Sequence, residues 1–424
     1  LLPCAWRILC AMKRESTLLM LNFILSPKYK EMIRLFVFVS FLFGVVSCKA
    51  QTPHEKSGKP EILTGADQIG TILPALTGKR VALTVNHTSL VGKTHLADSL
   101  KSLGINIVKL FGPEHGVRGN AADGELVSDS VDKKTGIPLI SLYGKNKKPT
   151  SQQLADVDIM IFDIQDVGTR FYTYIGTMHY VMEACAEANK KMIILDRPNP
   201  NDFIDGSVND KLLKSFVAMH PIPIAHGLTV GELAQMINGE GWLLNKVKCE
   251  IEIIPVKHWK HGEPYSLLVG PSPNLPNNQA IQLYPSLCLF EGTVISLGRG
   301  TPFPFQVLGA PELKELSFTF TPVTIKGVAV KPPHENKLCY GIDLRADKPA
   351  RKIDLSYLLK LYALYPDKEK FFTSYFDLLA GTANLKQQIK DGLTEEQIRA
   401  SWQPELQQYK TTRKKYLLYS DYSK

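Results

Sequence analysis

Short apolar runs alternate along this chain with segments of helical spacing, and that alternation constrains the fold more than any other feature. Arg80–Val85 (RVALTV), Asn106–Leu110, Pro138–Leu142, Asp158–Phe162 (DIMIF), Met192–Leu195 and Glu250–Val256 read as strands. His95–Leu103, Ser151–Ala155, Tyr172–Ala188 and Val230–Ile237 read as the helices among them. Such a pattern argues for βαβ units, and so for an α/β fold with a mostly parallel sheet covered on both faces.

The loops at the strand ends are the second constraint. Asn86-His87-Thr88 comes after the first strand, and Phe111-Gly112-Pro113-Glu114-His115-Gly116 after the second. Asp163-Ile164-Gln165-Asp166-Val167-Gly168-Thr169-Arg170 and Asp196-Arg197-Pro198-Asn199-Pro200 come after later strands, and His226-Gly227-Leu228-Thr229 stands ahead of the Val230 helix. Ligands of open α/β sheets bind outside the carboxyl ends of the strands. Polar and ionisable residues collected there in several loops point to a site on one rim.

At 424 residues the chain is long enough for two domains. We expect residues 61–248 to form the strand–helix lobe and 249–424 a second α/β lobe, with 50–60 (AQTPHEKSGKP) as a linker. The later part is Pro- and Gly-rich through Gly270–Pro311, then helical at Leu355–Leu364, Lys368–Leu379 and Glu395–Leu418, the last broken at Pro404. Arg413-Lys414-Lys415 reads as a solvated helix face. The net charge of +9 is uneven: residues 1–49 hold +5 of it. What remains is too balanced for a nucleic-acid-binding field.

Residues 1–49 are expected to lie outside the fold. Met32-Ile33-Arg34 and then the apolar run Leu35–Val46 have the pattern of a secretory signal, and the run is shorter than the roughly 20 residues that span a bilayer. Residues 1–31 then read as upstream sequence. Val45-Val46-Ser47-Cys48 resembles a bacterial lipobox, which makes Cys48 the expected lipidated N-terminus of an exported, periplasmic or outer-membrane-anchored protein; the alternative is ordinary cleavage near Ala50-Gln51. Cys185, Cys249, Cys288 and Cys339 show no zinc spacing. They are expected to be buried free thiols.

The motifs narrow the chemistry. No GxGxxG, P-loop, HExxH or GxSxG is present, so dinucleotide, P-loop and nucleophile-elbow chemistry have no signature here. No cofactor and no metal is expected. Glu114, between glycines and beside Phe111 and Pro113, is placed for general acid work or for a backbone-satisfied loop carboxylate. Asp163 and Asp166 offer a carboxylate pair, one of them with a capping or Arg170-pairing role as alternative. Tyr172 and Tyr174 suit sugar stacking or core packing. Arg299, in Gly298-Arg299-Gly300, either clamps a ligand carboxylate or pairs with Glu291. Two carboxylates across a sugar bond make a glycosidase. A metal site on His115, Asp163, Asp196 and His226 is the competing reading.

Taken in order, NHT, FGPEHGVRG, TGIPLISLYG, DIQDVGTRFYTYIGTM, LDRPNP, HGLTVGELA, PSPNLP, EGT and GRGTPFPFQVLGAP resemble the NamZ-type exo-β-N-acetylmuramidases, glycoside hydrolase family 171. The resemblance runs from about Gly78 through FDLLAGT to RKKYLLY. It implies a Rossmann-like lobe joined to a smaller α/β lobe, with the active site in the cleft between them. It also implies release of terminal N-acetylmuramic acid from the non-reducing end of peptidoglycan fragments. That sugar carries a lactyl carboxylate, which gives Arg170 or Arg299 a reason to be in the cleft. Asp205 stands where the family commonly has Glu, and Val294 comes after EGT where Asn is usual.

The expected catalytic set is therefore Glu114 with Asp163, Asp166 or Glu291. The expected substrate-binding set is Asn86, His115, Gln165, Arg170, Tyr172, Tyr174, Asp196, Arg197, Asn199, His226, Thr229, Asn274 and Arg299. The expected partner is a peptidoglycan-derived sugar, with no nucleic acid, and with a membrane only through the N-terminal anchor. A metal-dependent hydrolase and a non-catalytic muropeptide-binding lipoprotein are the alternatives.

Overall fold

The computed structural model describes residues 60–119, 130–210 and 212–422. The expected signal segment and Cys48 lie outside the described residues. From Glu61 onward the chain forms one compact unit.

Its centre is a seven-stranded sheet. In chain order the strands are β1 (Val81–Val85), β2 (Ile107–Gly112), β3 (Ser130–Val131), β4 (Pro138–Ser141), β5 (Ile159–Asp163), β6 (Lys191–Leu195) and, after a two-stranded insertion, β9 (Ile251–Ile254). The insertion is β7 (Ile204–Val208) paired antiparallel with β8 (Pro223–His226). The sheet order is β9-β6-β5-β1-β2-β4-β3. Every pairing is parallel except that of β3 with β4. β9 belongs to this sheet, so the sheet continues past residue 248.

Alternation along the strands sets the two faces. Val81, Leu83, Val85, Leu110, Ile161 and Ile193 pack with Leu96, Ala97 and Leu100 of helix α1 (Leu96–Ser102). Ala82, Phe111, Met160, Phe162, Met192 and Ile194 face the other way, against α2 (Tyr174–Glu187) and α3 (Val230–Gly239). Strands covered on both sides are nearly continuously apolar, which is why they stand out as runs. Thr229 caps α3, with Glu232 completing the capping box.

The remaining chain packs on the α2/α3 face. Helix α4 (Asn278–Leu287), capped by Asn277, carries Pro285 inside it and runs into a 3₁₀ turn at Cys288–Gly292. The Pro/Gly-rich reading of this stretch missed that helix. An antiparallel sheet comes next, with β12 (Cys339–Asp343) between β10 (Val307–Ala310) and β11 (Phe318–Phe320). Helix α5 is Ser356–Leu364. The expected helix Lys368–Leu379 is two short ones, Lys368–Phe371 and Phe376–Ala380. Between them the backbone pairs instead with the Glu291 turn, through Val294 N to Phe371 O and Thr373 N to Gly292 O.

Helix α6 (Glu395–Arg413) is continuous through Pro404. Pro404 lies on the exposed side, so the hydrogen bond it removes faces water, while Ile398, Trp402, Leu406, Tyr409 and Arg413 form the buried stripe. Arg413 is thus not part of a solvated face: its Nε donates to Gly227 O at 2.8 Å and its fork meets Asp421. Cys185, Cys249, Cys288 and Cys339 are buried free thiols, as expected.

Candidate active site

A cavity of about 480 Å³ opens beside the carboxyl ends of β2 and β4. Six of the expected site residues line it: Glu114, His115, Tyr172, Asn274, Glu291 and Arg299.

Glu114 and His115 stand in the turn that leaves β2. His115 (φ 69°) and Gly116 (φ 71°) are both left-handed, and Gly116 N closes the turn on Pro113 O at 2.9 Å. A non-glycine residue in that region is an uncommon and costly arrangement. Here it holds the Glu114 side chain at the cavity, where Thr173 Oγ1 approaches Glu114 Oε2 at 3.5 Å.

Glu291 reaches the same cavity from the 3₁₀ turn after α4. A Cβ on Gly292 would sit 2.4 Å from Phe376 Cα, so only glycine lets this turn seat against the Phe376 helix. Arg299 donates to Glu291 Oε1 through Nε at 3.1 Å and through Nη2 as well. Its guanidinium also lies 5.1 Å from the Phe305 ring centre. Of the two uses foreseen for Arg299, the ion pair with Glu291 is the one formed.

Tyr172 and Tyr174 both donate from their hydroxyls to Pro271 O, at 3.0 and 3.1 Å, and their rings meet edge-on. Only Tyr172 borders the cavity. Asn274 is held by Ser272 Oγ and donates to Val328 O.

The other expected residues are placed elsewhere, engaged in holding the loops. Asp163 is 0% exposed and grips Arg197 with both oxygens. Burial pushes its carboxyl up, against the pull of that guanidinium. Asp166 accepts from Gly168 N at 2.7 Å and lies 3.6 Å from His226 Nε2. Arg170, 1% exposed, donates to three main-chain carbonyls, Ser207 O, Ile222 O and Leu379 O. Burial lowers its pKa to about 9. It is an interior strut and does not border the cavity of Glu114 and Glu291.

Asp196 accepts from Thr229 Oγ1, Gly231 N and Tyr419 OH, and burial raises it to about 6 despite them. Asn199 links Leu228 O to Asn201 N. Asn86 caps its own turn at Thr88. Gln165 donates to Asp166 O and Pro198 O. Gln165 and Arg197 border a separate cavity, beside Tyr265. His115, Asp163, Asp196 and His226, the candidate metal ligands, are thus dispersed. Among the described residues no three His, Cys, Asp or Glu side chains group closely enough to share an ion.

Sequence reasoning missed much of the cavity's aromatic wall. Tyr143, Phe171, Phe216, Tyr284, Phe305 and Tyr375 all border it. Phe171, Tyr284 and Phe305 meet edge-to-face. Tyr143 and Phe305 lie inside the motifs SLYG and TPFPFQ, and that adjacency to Gly and Pro is their one signal in the sequence.

Residues 81–279 match the family model described as exo-beta-N-acetylmuramidase NamZ, N-terminal, and residues 282–419 match its C-terminal counterpart. The chain is 40% identical over 410 residues to the peptidoglycan beta-N-acetylmuramidase NamZ of Bacillus subtilis (strain 168), an alignment spanning 89% of this chain and 97% of that protein. Among solved structures it is similar to a DUF1343 family protein from Bacteroides fragilis NCTC 9343, with TM-score 0.80, 45% identity, 86% of this chain and all of that one covered. A second such protein of that organism gives TM-score 0.73 and 31% identity over 85% of this chain and all of its own. With both halves of the family model matched in order around a cavity that holds Glu114 and Glu291, the chain belongs to the NamZ family of exo-β-N-acetylmuramidases.

Proposed function

We propose that this protein is an exo-acting glycoside hydrolase that releases terminal, non-reducing N-acetylmuramic acid from peptidoglycan fragments, in cell-wall turnover or recycling. The observation that carries this reading is the presence of two carboxylates, Glu114 and Glu291, in one aromatic-walled cavity of about 480 Å³. Hydrolysis of a sugar bond needs a proton on the leaving oxygen and negative charge near the oxocarbenium-like carbon. Glu114 takes the first role and Glu291, oriented by Arg299, the second. The aromatic rings supply apolar faces for the sugar ring, and the Tyr172 hydroxyl, committed to Pro271 O, keeps its ring in place.

The test is turnover of a chromogenic β-glycoside of N-acetylmuramic acid by the purified protein. Release of the chromophore is the expected result. Tight binding without turnover would favour the muropeptide-binding alternative.

Export and acylation at Cys48 belong to the same proposal, supported by the apolar run Leu35–Val46 and the Val45–Cys48 step. Membrane fractionation of the wild type and Cys48→Ala tests it. The variant should leave the membrane pool.

A further inference from the structure

N-acetylmuramic acid differs from N-acetylglucosamine by a lactyl ether that ends in a carboxylate, so an enzyme that selects it must recognise that group, and a cation does so through charge-assisted hydrogen bonds. We infer that Lys147 is this specificity-determining residue, its ammonium receiving the lactyl carboxylate of the sugar bound in the Glu114–Glu291 cavity. The inference rests on the function proposed above.

Among the described residues, two cationic side chains of Lys or Arg type border the cavity, Lys147 and Arg299. Arg299 is committed to Glu291 through two of its N–H donors. Arg170, the other arginine with a sequence-based claim on the lactyl group, is spent on three main-chain carbonyls in the interior. Lys147 forms no ion pair with a carboxylate among the described residues; its ammonium rests 4.2 Å from the ring centre of Phe216. An ammonium over an aromatic face is held without using its hydrogen-bond donors in the way a carboxylate does. It remains able to donate to an incoming anion.

The platform under Lys147 is itself built into the fold. Phe216 stacks on Tyr180 of α2, with ring centres 6.1 Å apart and planes at 15°. Helix α2 has glycine where Phe216 approaches: a Cβ on Gly176 would lie 2.7 Å from Phe216 Cε2. The loop after β4 thus brings Lys147 onto a ring whose position is set by α2, at the mouth of a cavity that already holds two acids. An anionic sugar entering beside Glu114 and Glu291 needs a balancing charge, and Lys147 is the one not consumed by a neighbour.

The test is steady-state kinetics of wild type, Lys147→Met and Lys147→Arg on an aryl β-N-acetylmuramide, together with inhibition by free N-acetylmuramic acid and by N-acetylglucosamine. Lys147→Met should raise KM and the N-acetylmuramic acid inhibition constant by about 10–100-fold, the scale of a lost charge-assisted hydrogen bond. Its kcat should hold within a few-fold, inhibition by N-acetylglucosamine should be unchanged, and Lys147→Arg should restore most of the affinity. Gly176→Ala, which displaces Phe216 but keeps the charge, should shift KM in the same direction by less. Equal losses for both sugars in Lys147→Met, or an unchanged KM, overturn the inference while leaving the functional reading intact. A wild-type protein that cleaves no N-acetylmuramide overturns the functional reading instead.

Discussion

Arg197 closes on Asp163 like a clamp, Nε to Oδ1 at 2.6 Å and Nη2 to Oδ2 at 2.9 Å, with both residues removed from water at the carboxyl end of the sheet. Leu90 O takes a further N–H of the same guanidinium. The pair ties the end of β5 and the loop after β6 to the short hairpin after β1, in which Leu90–Val91 pairs with Thr94–His95. Arg197→Met should destabilise the protein by about 3–5 kcal/mol, because it strands a buried carboxylate. The double variant Arg197→Met/Asp163→Leu should recover part of that loss. Chemical denaturation of the three proteins measures it, and a recovery of nothing would remove charge burial as the cause.

Glu114→Gln keeps the shape of the side chain and removes the acidic proton. On a poor leaving group kcat should fall by about 10²–10⁴, with little change in melting temperature. An activated phenolic leaving group needs little protonation, so the loss there should be much smaller. Equal losses on both substrates would move Glu114 to a role other than acid.

Arg299→Lys separates positioning from binding. A lysine retains the charge but cannot hold Glu291 with two donors from one plane. Because the fork is engaged with Glu291, the effect should fall on kcat, by on the order of 10–100-fold as for a displaced reacting group, with KM nearly constant. A raised KM at constant kcat would return Arg299 to a substrate-binding role.

His261 lies between two acids, Nδ1 at 2.8 Å from Asp202 and Nε2 at 3.0 Å from Glu232. Burial draws its pKa down, but the two carboxylates outweigh burial and raise it from 6.5 to about 9. The group is more basic in the folded protein than in the unfolded chain. Its stabilisation is therefore fully present below about pH 6.5 and is lost as the pH rises through about 9. Thermal melts of the wild type should show a falling midpoint across that window. His261→Gln should melt lower at pH 6 and show a flatter profile, and parallel profiles would dissociate His261 from the effect.

The inner strands are legible in the sequence because they are buried on both faces and so almost continuously apolar, as at Val81–Val85, broken only by Thr84, and at Ile159–Asp163, apolar up to its terminal Asp163. The β7–β8 pair is not: Ile204–Val208 contains Asp205, Gly206 and Ser207, whose partners come from far along the chain, as Asp205 with Arg399 and Ser207 with Ala380 O. At the site, Glu114 is legible from its glycine-flanked turn. Asp163, Arg170, Asp196 and Asn199 look like ligand contacts in a sequence because polar residues gather after strands. In the folded chain those loops are buried, and a buried loop must satisfy its own polar groups. Which polar residue faces inward and which faces the cavity depends on that three-dimensional accounting. Tyr284 is invisible because the helix that carries it lies in a stretch that reads as Pro- and Gly-rich, and Tyr375 because an aromatic residue within an expected helix reads as core whether or not one edge meets a cavity.

Arg170 has a consequence for how the molecule comes apart. One guanidinium joins Ser207 on β7, Ile222 ahead of β8 and Leu379 in the late Phe376–Ala380 helix. Gly381, left-handed at φ 72°, would put a Cβ 2.4 Å from Arg170 Nη2, so the late segment closes over the cation with no room to spare. A fragment ending near residue 280, where the two family segments meet, would keep the cation and lose one of its three acceptors. The seam in the sequence is therefore not a seam in folding. The chain from Glu61 onward should melt in a single transition, and its two halves should be recovered as folded protein only when produced together.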